Sequence, residues 1–323
     1  MMLATEIEVK TLGNYAYKAI KKHLKKTLKW ETSVKKDEDP EALHQMRVGM
    51  RRLRTAVSRF DLAVNLPEAA NDKNIGKIGR RLGKLRDLDV LKETLERVYQ
   101  PNLPSVEQEY LQKAFAALGK QRKEVLEDVQ KTLKDERYKS IKTDLKDWLD
   151  EPTYKPIAEV QLQEVIPDLL LPEISSFLLH PGWLVGSQVE NAEFVVTTDL
   201  KAEEIDEILV NNDEVLHSLR KEAKRIRYQM ELFTDLYGEP YAAFIADVKR
   251  IQEILGSMQD SVVLSDWLDD VLKSDFAEQL PTLADLFAQK RYEMWQQWQP
   301  LQRRYLKSDN RRGLHLTILN LLG

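Results

Sequence analysis

The chain has 323 residues, with 42% apolar and 32% charged side chains, 12 glycines, 12 prolines and no cysteine. That length can bury a core and supply two lobes, and the composition is that of a helical globular protein, not a disordered or fibrous one. Without cysteine, disulfide frameworks and thiolate metal centres are excluded.

The formal net charge of −4 averages over unlike regions. Glu151 to Leu216 holds 14 Asp and Glu against two Lys, whereas Glu41 to Leu91 holds 11 Lys and Arg against six acids. A basic framework with an acidic insert points to an anionic partner even at an ordinary isoelectric point.

The N-terminal MMLATEIEVK lacks the apolar run of a signal peptide. Leu12, Ala16, Ala19, Ile20, Leu24 and Leu28 keep helical spacing opposite a row of lysines, predicting a helix from Leu12 to Trp30. Asp39-Pro40-Glu41 has the form of a helix start, with Asp as cap and Pro in the first turn, and that helix is expected to reach about Val64. Further helices are predicted from Asn71 to Tyr99, Ser105 to Leu133 and Arg137 to Leu149. The most apolar stretch, Ile166 to Val185, is broken by Pro167, Asp168, Pro172, Glu173 and Pro181, so it does not read as a bilayer span. The expected location is the cytoplasm. Val160 to His180 holds a helix, Phe194 to Thr198 is a β-prone run, and Asp199 is placed to cap an acidic helix ending near Val210. Leu280 to Tyr305 and a short helix near Leu314 to Leu322 close the chain.

One stretch occurs twice. His44 to Phe60 reads HQMRVGMRRLRTAVSRF and His217 to Phe233 reads HSLRKEAKRIRYQMELF. The offset is 173 residues, and it recurs when Ile75–Leu91 is set on Val248–Leu264, so Leu82, Gly83, Asp87, Val90 and Leu91 match Leu255, Gly256, Asp260, Val263 and Leu264. A common offset over two successive helices marks a duplication. On a helical wheel His44, Arg47, Arg51 and Arg54 share an arc of roughly 80°, opposite Met46, Met50, Leu53, Val57 and Phe60. The second copy sets His217, Arg220, Lys224 and Arg227 against Leu219, Ala223, Ile226, Met230 and Phe233. Like charges at helical spacing repel, and this repeated stripe therefore asks for an anion. Lys73, Lys77, Arg80 and Lys84 add a second row in the first copy, but its counterpart keeps only Arg250, with Ala246, Glu253 and Ser257 elsewhere. Stronger binding is expected from the first half.

These features predict an all-α fold: two helical bundles of about four helices each, related by a pseudo-twofold. Residues 1–10 form a tail, 11–150 the first bundle, 151–212 the acidic insert with at least one helix, and 213–323 the second bundle.

His-x-x-Arg-x-x-x-Arg-Arg-Leu-Arg followed by Leu-Gly-x-Leu-Arg-Asp-x-Asp-Val-Leu resembles the CHAD family, the conserved histidine α-helical domain, over residues 11–322. The resemblance implies two helical bundles and non-enzymatic binding of inorganic polyphosphate along a basic trough or channel between the halves. It also implies association with polyphosphate granules and with other polyphosphate-associated proteins, and no cofactor. The polyphosphate-binding residues would be His44, Arg47, Arg51, Arg54, Lys77, Arg80, Lys84, His217, Arg220, Lys224, Arg227 and Arg250. Cationic side chains that displace counterions suit such a polymer, and the Arg fork suits phosphate oxygens.

Alternatives stand beside this reading. His44 and His217 are either phosphate ligands or helix-start histidines bonded to a neighbour. Neither has a His or carboxylate at i+3 or i+4, so no metal site is expected. Arg52 and Arg225, displaced on the wheel, are expected to pair with Asp87 and Asp260. Nucleic acid is the alternative ligand, although aromatics interleaved with the stripe, as base stacking needs, are scarce. A phosphohydrolase would need a nucleophile constellation or acids for Mg²⁺ that the sequence lacks. Glu6, Glu8 and Lys10 match the ExExK form of CYTH triphosphatases, without the β-barrel which that chemistry requires, and read as a coincidence or a vestige.

Overall fold

The computed structural model describes residues 11–321, so Glu6, Glu8 and Lys10 lie outside the described residues. Those residues are all-α except for one two-stranded hairpin, and none of their helices is long and apolar enough to cross a membrane. The described residues divide into two compact units, one of those up to 89 with 122–169, the other of 90–121 with those from 170 onward.

The first unit contains α1 (Leu12–Lys29), α2 (Glu31–Lys36), α3 (Pro40–Phe60), α4 (Asp72–Thr94) as far as Asp89, the C-terminal part of α5 (Ser105–Lys134), α6 (Glu136–Asp150) and the start of α7 (Leu162–Leu178). As expected, Asp39 caps α3, its carboxylate accepting from the Glu41 N–H at 2.8 Å, with Pro40 in the first turn. The helix stops at Phe60 instead of Val64 because the following backbone leaves to pair with the residues after α6. The Asn65 N–H donates to the Thr153 carbonyl at 3.0 Å, and the Lys155 N–H donates to the Ala63 carbonyl at 2.9 Å. A Cβ on Gly49 would lie 2.8 Å from Thr27 Oγ1 and 3.1 Å from Thr27 Cα, so α1 and α3 cross with no room for a side chain there. Next to that crossing, burial and the charges of Arg52, Lys22 and Lys26 lower the pKa of His23 to about 4. The imidazole is therefore neutral in the core at physiological pH.

The second unit holds the remainder of α4, α5 and α7, then β1 (Ser187–Glu190), β2 (Glu193–Val196), α8 (Ala202–Asn211), α9 (Asp213–Glu231), α10 (Glu239–Leu272), α11 (Phe276–Gln279), α12 (Pro281–Leu306) and α13 (Ser308–Leu319). Trp183 stacks on Trp298 and Tyr305 with centroids 5.1 and 5.2 Å away. The buried Gln302 amide donates to the Trp183 and Val185 carbonyls at 2.8 and 2.7 Å, satisfying backbone that would otherwise be stranded. The β-prone run forms β2, which pairs antiparallel with β1. Asn191 and Ala192, with φ of 49° and 64°, make the tight turn between them. Asp199 does not cap the acidic helix. It has a left-handed φ of 62°, and the helix begins after Lys201, whose N–H donates to the Glu204 carboxylate at 2.8 Å.

The two units differ from the halves read along the sequence, because residues 90–121 belong with the second. Glu107, only 5% exposed, accepts from the Thr282 and Leu283 N–H groups at 3.0 and 3.2 Å. A carboxylate from α5 thus satisfies the free donors at the start of α12, a tie with no local sequence signal.

Candidate functional site

In the first unit α3 buries Met46, Met50, Leu53, Val57 and Phe60, which turns its histidine–arginine face away from the core. Glycines on α4 receive that face. A Cβ on Gly83 would lie 3.4 Å from Arg47 Nε, and one on Gly76 would lie 2.9 Å from Arg54 Nε. Arg47 crosses Gly83 to reach Asp87 at 3.4 Å, and Arg54 crosses Gly76 to reach Asp72 at 3.3 Å. Both pairs are long and partly exposed, so each is worth about 0–1 kcal/mol. Their effect is to lay the guanidinium stems along α4. Arg51 and His44 are half-buried on the same helix.

On α4, Lys77, Arg80 and Lys84 are exposed. They lie roughly 40–100° round the helix from Gly76. None has a side-chain partner among the described residues. With Arg81 they form like-charge pairs at i+3 and i+4, each costing about 0.2–0.5 kcal/mol. No side-chain carboxylate is paired with Lys77, Arg80 or Lys84 to relieve these repulsions among the described residues.

The second unit repeats the first arrangement and omits the second. Arg220 lies over Gly256, where a Cβ would be 3.1 Å from its Nη2, and reaches Asp260 at 3.3 Å. The duplicated Gly and Asp thus have one physical role, a bare seat and an anionic end-stop for the Arg at the fourth position of the repeat. This corrects the expected pairing of Asp87 and Asp260 with Arg52 and Arg225. Arg225 instead reaches Glu173 at 2.8 Å and bonds Glu222, while Arg52 lies near His23. The glycine opens a path only for the arginine directly facing it, which a wheel of one helix cannot show.

Arg227 turns back on its own helix, 3.2 Å from Glu231 and 4.4 Å from the Tyr228 ring centre, with its side chain 13% exposed. Arg250 bonds the side chain of Gln297. Lys224 is half-buried and is not without partners. His217 is half-buried, and its Nδ1 is sealed from solvent with no hydrogen-bond partner. Burial first, then Lys221 and Arg220, lower its pKa below the ordinary histidine value. His44 has no side-chain partner among the described residues. Among the described residues, neither histidine side chain makes a hydrogen bond to a helix-start neighbour. Among the described residues no group of three His, Asp or Glu is placed to hold a metal.

The chain is similar over its length to solved structures. The crystal structure of the CHAD domain from the plant Ricinus communis is 26% identical, with a TM-score of 0.62 and coverage of 97% of this chain and 95% of that one. PptA from Streptomyces chartreusis is 13% identical, with a TM-score of 0.58 and coverage of 91% and 99%, a likeness of fold alone. No curated protein matches. The CHAD domain profile matches residues 18–269. That span takes in both copies of the basic repeat, and this chain belongs to the CHAD domain family.

Proposed function

We propose that this protein binds inorganic polyphosphate without transforming it, and that binding directs it to polyphosphate granules. The observation that carries this reading is the unpaired row Lys77, Arg80 and Lys84 beside the glycine-seated Arg47 and Arg54. A linear polyanion can satisfy such a row along its length, and released counterions supply the driving force. Charge-assisted bonds from Arg add strength without demanding any base sequence.

Equilibrium binding of long-chain polyphosphate at several salt concentrations tests the proposal. Affinity should fall linearly on a log–log plot of binding constant against salt, and changing Arg47, Arg51, Arg220 and Lys224 together to Ala should weaken it on the order of 100-fold. Weak binding that the four substitutions leave unchanged would overturn the proposal. Duplex or single-stranded nucleic acid, added at equal phosphate concentration, should not displace the polymer. No phosphate should be released with Mg²⁺ or Mn²⁺ present.

A further inference from the structure

Resting on that reading, we infer that the basic row of the first unit extends into an oligophosphate subsite, a groove between α4 and the start of α6. Its volume is about 810 Å³, and Lys77, Arg80, Arg81, Lys84 and Arg137 line it. This is within the range of cavities that hold small ligands. The repeat motif does not include Arg81 or Arg137, and α6 has no part in the stripe on α3.

The groove is built to receive an anion. Lys77, Arg80, Lys84 and Arg137 have no side-chain partner among the described residues. Arg81 is oriented by its Nη1 donating to Thr132 Oγ1 at 3.1 Å, and that hydroxyl itself donates to the Asp128 carbonyl at 2.7 Å. Two acids share the lining, Asp135 and Glu136. Asp135 accepts from the Arg137 N–H at 2.8 Å, and Glu136 accepts from Lys139 at 2.6 Å. Both carboxylates thus have local partners, whereas four of the five cations have none. Ser140, one turn into α6, supplies a hydroxyl donor to the same space.

The ligand class follows from this lining. Five cations in one groove match a short run of phosphates, and the lining offers no aromatic ring on which a base could stack. Lys77, Arg80 and Lys84 line this groove and lie roughly 40–100° round α4 from Gly76, where Arg54 of α3 is seated. A phosphate chain on α3 can therefore continue over α4 towards α6 within one unit.

Calorimetric titration of the full chain with tripolyphosphate and, separately, with long-chain polyphosphate tests the subsite. Arg137→Glu should weaken tripolyphosphate at least 10-fold and lower the salt slope for the long polymer by about 0.7, the share of one cation on a single strand. Arg137→Gln should lie between wild type and Arg137→Glu. Because the Arg137 side chain has no partner to lose, both variants should keep the wild-type melting temperature. If the long polymer binds and neither Arg137 variant alters either titration, the groove is overturned and the general reading survives. If neither polymer binds, both fall.

Discussion

The two basic faces share a frame and differ in what surrounds it. In each unit an arginine at the fourth position of the repeat lies over a glycine and ends at an aspartate one turn on: Arg47, Gly83 and Asp87 in the first, Arg220, Gly256 and Asp260 in the second. Around that frame the first unit adds Arg54 over Gly76 and an unpaired row on α4. In the second unit Lys249 stands where Gly76 stands, so Arg227 has no seat and pairs with Glu231 on its own helix. Glu253 stands where Arg80 stands and lies 3.8 Å from Lys249. Duplication preserved the element that packs helix on helix, while the unpaired row of cations stands in one copy.

Reversing the row should have the largest effect. Lys77→Glu, Arg80→Glu and Lys84→Glu together should cost on the order of 100-fold in polyphosphate affinity, against less than about 10-fold for Lys224→Glu with Arg250→Glu. Equal losses in a binding titration would break the comparison. Building the missing row should move affinity the other way: Glu253→Arg with Ser257→Lys should raise affinity about 10-fold and steepen the salt slope.

Smaller effects separate seats from crossings. Gly49→Ala forces a Cβ against the Thr27 backbone and should destabilise by about 1–3 kcal/mol. Gly83→Ala meets only the movable Arg47 side chain, and should gain up to about 1 kcal/mol of helix propensity while loosening that arginine. Thermal melts of the two variants should therefore shift in opposite directions. The smallest effect is on pH. The pKa of His217 is lowered in the folded protein, so protonation opposes folding and stability falls as pH drops below 6.5. A bound polyanion raises the same pKa, so affinity should rise a few-fold at most as pH is lowered through that value. His217→Ala should flatten this dependence in titrations at pH 7.5 and 6.

Much of this was legible in the sequence. The cap at Asp39, the apolar face of α3 and the duplication at one offset all follow from local rules of periodicity and capping. The roles of Gly76, Gly83 and Gly256 did not, because a glycine within a helix signals close approach without naming what approaches. Arg137 gave no signal at all, since nothing in the run Asp135-Glu136-Arg137 links it to Lys77.

The sequence by itself determined most of the long helices, the duplicated basic motif and the imbalance of charge between its copies, since each rests on residue type and spacing along one helix. The tertiary structure alone decided which charges are spent on protein partners and which are not. Asp87 takes Arg47 and not Arg52, Glu107 of α5 caps α12, and α6 joins α4 in a groove. Pairing depends on distances across helices remote in sequence, and only packing sets those distances.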